Sequence, residues 1–139
     1  MSNIKSFQRL LVVQALYQLS INKIDEKKSI KDIFLEIIDK SENKYLITKS
    51  NLNFAEKIYN GVSEYSDQIE NDLRESLNKK RKVERIDNLL NSIFLPAIYE
   101  LNYGPKLSKK VIISEYLMIA DQFFSEKEIS LLNGVLDKV

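Results

Sequence analysis

Apolar positions along the chain recur mostly at intervals of three and four, the spacing that gathers side chains on one face of an α-helix. In the stretch from Asn3 to Ser20, Ile4, Phe7, Leu11 and Ala15 follow this rhythm and no residue breaks a helix. From Leu10 onward only Gln14 and Gln18 interrupt an almost closed apolar surface, so this helix is expected to sit centrally or to meet a partner. Ser29 to Asp32 reads as a capping box opening a second helix with Ile30, Ile33, Phe34, Ile37 and Ile38 on one side. Lys40 to Ser50 is polar and reads as a loop. One long helix is then predicted from Leu52 to Leu77, striped by Leu52, Ala55, Ile58, Tyr59, Val62, Tyr65, Ile69, Leu73 and Leu77. Gly61 lies within it, where glycine costs about 1 kcal/mol relative to alanine, and is read as permitting close helix contact.

Asn78 to Arg85 carries no apolar face and is the natural hinge between two halves. Ile86 resumes a helix with Leu89, Leu90, Ile93, Phe94, Ala97, Ile98 and Leu101, stopped by Gly104-Pro105 and expected to kink at Pro96. Ser108 is the expected N-cap of a helix through Phe124, and Ser125 to Glu128 a capping box for a final helix ending near Lys138. The expectation is an all-α chain of six or seven helices in two small antiparallel three-helix bundles. Residues 1–139 form a single domain, with subdomains of about 1–78 and 84–139.

Composition narrows the chemistry. The 139 residues include no cysteine, histidine or tryptophan, which removes disulfides, zinc ribbons, haem sites, Ser-His triads and histidine general bases. With 3 Gly there is no glycine-rich phosphate loop. The chain reads as a non-enzyme with no cofactor. No apolar run approaches the roughly 18 residues of a membrane span, and the start lacks the apolar core of a signal peptide. The expected location is therefore the cytoplasm, without membrane contact.

Net charge is +1, so a nucleic-acid surface must come from local segregation. Lys79, Lys80, Arg81, Lys82 and Arg85 stand against Glu84 alone, just after a stretch rich in Glu and Asp (residues 54–76). This cluster reads as a phosphate-contacting patch or, more plainly, as a solvated loop. Lys106, Lys109 and Lys110 gather at a helix start, where the macrodipole disfavours cations, a weak sign of an external anion. Lys5 and Arg9 share a helical face and, taken alone, are ordinary surface residues. Glu115, Asp121, Glu126 and Glu128 are too scattered for a metal site, and the last two suit a first helical turn, so none is assigned. Tyr17 reads as a half-buried core tyrosine or an interface anchor. Phe123-Phe124 reads as core, or as an aromatic able to stack on an unpaired base.

At the last helix the pattern becomes specific. Asn133-Gly134-Val135-Leu136-Asp137-Lys138 resembles the closing "F-V-N-G-V-L-D-K" of the NusB family of transcription antitermination factors. Val13 to Tyr17 is similar to its "A-V-Q-A-L-Y", Asn60-Gly61-Val62 to "x-G-V", and Arg85-Ile86 to "R-L". Ala97 to Leu101 is similar to "A-x-Y-E-L", and Lys110 to Glu115 with Ala120 to "K-V-x-I-N-E" and "E-L-A-K". These blocks follow family order over residues 5–138. The resemblance implies two three-helix bundles with no catalysis. It also implies binding to boxA RNA together with NusE, a protein of the small ribosomal subunit, and action on RNA polymerase at ribosomal RNA operons. Carried over position by position, Lys5 and Arg9 match the basic RNA-binding motif, Phe123 and Lys127 the RNA-contacting loop before the last helix, and Tyr17, Ile21 and Leu90 the NusE-facing positions.

This chain departs from the pattern in several places. The arginine-rich N-terminal motif is reduced to Lys5 and Arg9, "I-N-E-A" becomes Ile113-Ser114-Glu115-Tyr116, the aromatic before "V-N-G" becomes Leu131, and the "L-R-L-A" arginine is Leu95. The alternative function is accordingly an interaction module or homodimer with weakened or lost RNA binding. The N-terminal RNA-binding unit of an RNA cytosine methyltransferase is a further alternative, disfavoured, if Val139 ends the complete chain, by the lack of a cofactor-binding domain.

Overall fold

The structure, a computed structural model, describes residues 4–21, 28–41, 52–77 and 87–139. Among these are seven helices and no strand: α1 Ile4–Ile21, α2 Ile30–Asp39, α3 Asn53–Glu64, α4 Ser66–Leu77, α5 Asn88–Asn102, α6 Lys109–Asp121 and α7 Glu126–Lys138. The expected hinge and the basic cluster Lys79 to Arg85 lie outside the described residues.

Local chemistry starts several helices where the polar residues indicate. Ser29 accepts from the Asp32 N–H at 3.2 Å, Ser108 from the Val111 N–H at 3.5 Å, and the Asp87 carboxylate from the Leu89 N–H at 2.7 Å. At α7 the box is reciprocal in part through the side chains: the backbone N–H and hydroxyl of Ser125 both donate to Glu128, at 3.1 and 2.6 Å. These bonds hold the Glu128 carboxyl below its usual range, the Ser125 hydroxyl contributing most. α3 is capped differently. Its N-cap Leu52 has no side-chain acceptor, and Gln8 of α1, almost fully buried, accepts the Ala55 N–H at 2.9 Å.

The long helix expected over residues 52–77 is two helices. Tyr65, at φ −102° and ψ 22°, leaves helical geometry, although its N–H still reaches Gly61 O and its carbonyl still accepts from Ile69. The physical cause is tertiary. The Tyr65 ring stacks on Tyr103 at 4.9 Å and 14°, while Asp72 of α4 accepts from Tyr103 Oη at 2.5 Å and from Asn102 at 3.0 Å, so the second half follows the end of α5.

One continuous core joins all seven helices, with Leu11, Val12, Phe34, Leu52, Ile69, Phe94, Ile98, Ile112, Tyr116 and Leu136 among its fully buried side chains. α1 packs against α2, α3 and α5 at its centre. α5 is itself largely buried and continues through Pro96 without a break. Gly61 allows α3 to lie directly on α5: an added Cβ would stand 2.1–2.7 Å from the Tyr99 ring. No helix among the described residues is long and apolar enough to cross a membrane.

Candidate functional site

α1 is apolar on more than one side, and the two sides serve different ends. Leu11, Val12 and Ala15 point into the core. Phe7, Leu10, Gln14, Tyr17 and Gln18, again three and four apart, form one wall of an open groove of about 600 Å³. Ile37, Lys40 and Ser41 at the end of α2, Leu89 at the start of α5, and Phe123 between α6 and α7 complete the wall. Ile21, exposed, continues the same stripe of α1 beyond the groove. The site thus joins a partner-facing candidate, Tyr17, to an RNA-facing one, Phe123, which is 42% exposed. An apolar trough carrying three aromatics and two glutamine amides is suited to holding an apolar anchor or an unpaired base.

Lys5 does not line this groove; it is exposed on another side of α1, its Nζ 5.4 Å from the centre of the Phe54 ring. Lys127 is exposed in the first turn of α7, four residues after Phe123. Of the three lysines before and within the start of α6, Lys109 is engaged within the fold, donating to the Asp137 carbonyl at 2.8 Å near the end of α7.

Two expected site residues are corrected by the structure. Arg9 is 3% exposed rather than a surface residue beside Lys5. Its Nε and Nη2 donate to the two carboxylate oxygens of Glu100 at 2.7 and 2.9 Å, and its Nη1 to Glu115 at 2.9 Å. Tyr116 Oη donates to Glu100 at 2.5 Å, Ser6 Oγ to Glu115 at 2.5 Å, and the Phe54 ring covers the guanidinium at 5.1 Å. Burial works against the Arg9 charge, but the hydrogen bonds and charge of Glu100 outweigh it and raise the guanidinium pKa. Burial, then the Glu100 carboxylate, pushes the Tyr116 phenol well above its ordinary value. Three of the five N–H donors of Arg9 are therefore engaged by carboxylates inside the fold, tying α1 to α5 and α6. Leu90 is the second correction: at 4% exposure it belongs to the core, and its neighbour Leu89 lines the groove instead. The α5 helix fixes this one-residue difference, because adjacent side chains stand about 100° apart around its axis.

Sequence reasoning did not single out Phe7, Leu10 and Gln14 as groove residues, nor Glu100 and Glu115 as the partners of Arg9. The former carried a signal, a second stripe on an over-greasy helix. The latter carried none, being 91 and 106 positions away.

A sequence model of the NusB family matches residues 6–139. The chain belongs to the NusB family. The transcription antitermination protein NusB of Mesorhizobium japonicum is 30% identical over 138 residues, covering 99% of this chain and 89% of that protein. That of Geotalea daltonii is 29% identical over 131 residues, covering 94% and 90%. Among solved structures, T. maritima NusB superposes with a TM-score of 0.77 at 23% identity, covering 99% of this chain and 90% of that one. A chain of a complex of the antitermination factors NusB and NusE with double-stranded RNA also superposes, with a TM-score of 0.77 at 14% identity and coverage of 99% and 96%. Both likenesses establish the NusB fold for this chain; the all-α expectation holds, with seven helices among the described residues.

Proposed function

We propose that this chain is a NusB-type transcription antitermination factor that binds boxA RNA jointly with NusE and acts in the cytoplasm within the RNA polymerase antitermination complex. The carrying observation is the groove that sets Tyr17 and Phe123 on one trough, supported by the family match across almost the whole chain. In this reading Tyr17, Ile21 and Leu89 present the apolar surface for NusE, and Phe123, Lys127 and Lys5 contact RNA. Arg9 and Leu90 serve the fold. With only two of these lysines on the RNA side, electrostatic affinity of the chain alone is low, and the NusE surface beside Tyr17 supplies the remainder.

The test is binding of NusE, of boxA RNA, and of both together, by calorimetry and fluorescence anisotropy. Tyr17→Ala should weaken NusE binding by roughly thirtyfold, the equivalent of a hot-spot aromatic costing about 2 kcal/mol, while the protein stays folded. Lys5→Ala should reduce the logarithmic salt slope of RNA binding by about 0.7, one phosphate contact on a single strand. Unchanged affinity in a folded Tyr17→Ala protein rejects the partner assignment. A self-associated protein that binds NusE but no RNA selects the alternative, an interaction module or homodimer with weakened or lost RNA binding.

A further inference from the structure

At the N-terminal end of α3 an aromatic side chain reaches the surface beside two lysines. Phe54 is partly buried: it packs on the core, and the Arg9 guanidinium inside the fold lies 5.1 Å from its ring centre. The exposed Lys5 of α1 holds its ammonium over the same ring at 5.4 Å. Lys57, also exposed, follows Phe54 by three positions and so shares its side of α3, about 4.5 Å further along the axis. Nearby carboxylates do not cancel these charges. Glu115 is taken up by Arg9 and Ser6, and Glu56 stands roughly 200° around α3 from Phe54. Among the described residues no carboxylate pairs with Lys5 or Lys57.

A surface ring flanked by cations is the unit from which single-strand nucleic-acid surfaces are built: bases stack on the ring and phosphates meet the charges. Here the ring is held in advance. Arg9, itself fixed by Glu100 and Glu115, lies against it, so little side-chain freedom remains to be lost when a base stacks. Lys5 has no such hold. Its cation–π contact is exchangeable for a phosphate, and its long flexible stem lets the ammonium swing aside as a base takes its place on the ring. The positive end of the α3 dipole lies at the same spot, where the N-cap Leu52 supplies no side-chain acceptor.

We infer that Phe54 is a nucleobase-stacking residue and that, with Lys5 and Lys57, it forms a subsite for one unpaired nucleotide of RNA and its flanking phosphates. The subsite shares no residue with the groove lined by Tyr17 and Phe123. It rests on the RNA-binding reading given above and extends the RNA surface from α1 onto α3.

Fluorescence anisotropy of boxA RNA with the NusE-bound protein tests it. Phe54→Leu keeps an apolar side chain against the core but has no π-face; it should weaken RNA binding about tenfold while the salt slope stays the same, because no charge is lost. Phe54→Tyr, which keeps the ring, should bind RNA within about twofold of the parent. Lys57→Ala should lower the logarithmic salt slope by about 0.7. NusE affinity should be unchanged throughout. The chain has no tryptophan of its own, so Phe54→Trp supplies a single reporter whose emission should fall when boxA RNA is added to this protein alone at low salt. A Phe54→Leu protein that binds RNA as the parent does, while Lys5→Ala binds it more weakly, overturns the subsite and leaves the RNA-binding reading standing. Equal losses of RNA and NusE binding in Phe54→Leu mark a defect of the fold and overturn it too. A parent heterodimer that binds no boxA RNA overturns both.

Discussion

Replacing Arg9 with methionine separates its two readings. The substitution keeps an unbranched chain of comparable length beneath Phe54 but removes the hydrogen bonds to Glu100 and Glu115. Glu115, the more open of the two carboxylates, retains Ser6 and reaches solvent. Glu100, whose side chain is 4% exposed, keeps only the Tyr116 hydroxyl. A buried carboxylate stripped of its bidentate cation costs about 3–5 kcal/mol, more than most single substitutions and a large part of the stability of a small domain. In a chain of this size that corresponds to a fall in unfolding temperature of roughly 10–20 °C. Thermal and urea unfolding followed by circular dichroism measure it, and Arg9→Met with Glu100→Gln should recover part of the loss, because the stranded charge is then gone. RNA affinity, measured at a temperature where the single variant is folded, should change little. A fall of less than about 3 °C together with a large loss of RNA binding would refute the structural role and return Arg9 to the nucleic-acid surface.

The other predictions concern packing and titration. Gly61→Ala should destabilise the fold by about 2 kcal/mol or more in urea unfolding, since its Cβ would meet the Tyr99 ring at 2.1 Å and overpacking outweighs the gain in helix propensity. Gly134→Ala, with nothing within 4 Å of its Cβ, should stabilise by up to about 1 kcal/mol, and an equal response at the two glycines would sink the packing argument. The Tyr103 phenol, donating to Asp72, has its pKa pushed up to about 12 from 10.0, first by that hydrogen bond and then by burial. Its folded value lies above its unfolded one, so this contribution is fully present below about pH 10 and is lost as pH rises towards 12. Tyr103→Phe should make the decline of stability between those limits shallower, and an identical pH profile in variant and parent would contradict the assignment.

Much of the helical architecture was decided within short windows of the chain. Ser29, Ser108 and Ser125 start helices because hydroxyls bond free N–H or carboxylate groups within three residues, and the three-and-four spacing assigns each helix an inner face without knowledge of its neighbours. Gly61 was legible for the same reason, an interior helical glycine being costly unless something lies against it. The order of the family blocks was legible too, and with it the family. Tertiary structure alone decided the rest. The break at Tyr65 follows from rings and a carboxylate more than thirty positions apart, Tyr103 with Tyr65 and Asp72, which no periodicity can encode. Arg9 reads as a surface cation beside Lys5 until Glu100 and Glu115 arrive from α5 and α6 and enclose it. Leu89 and Leu90 exchange expected roles because the rotation of α5 about its axis is set by packing against α1 and α3, not by its own composition. A local pattern states which residues can be buried together on one helix; which charges they are buried with depends on partners that only the folded chain brings near.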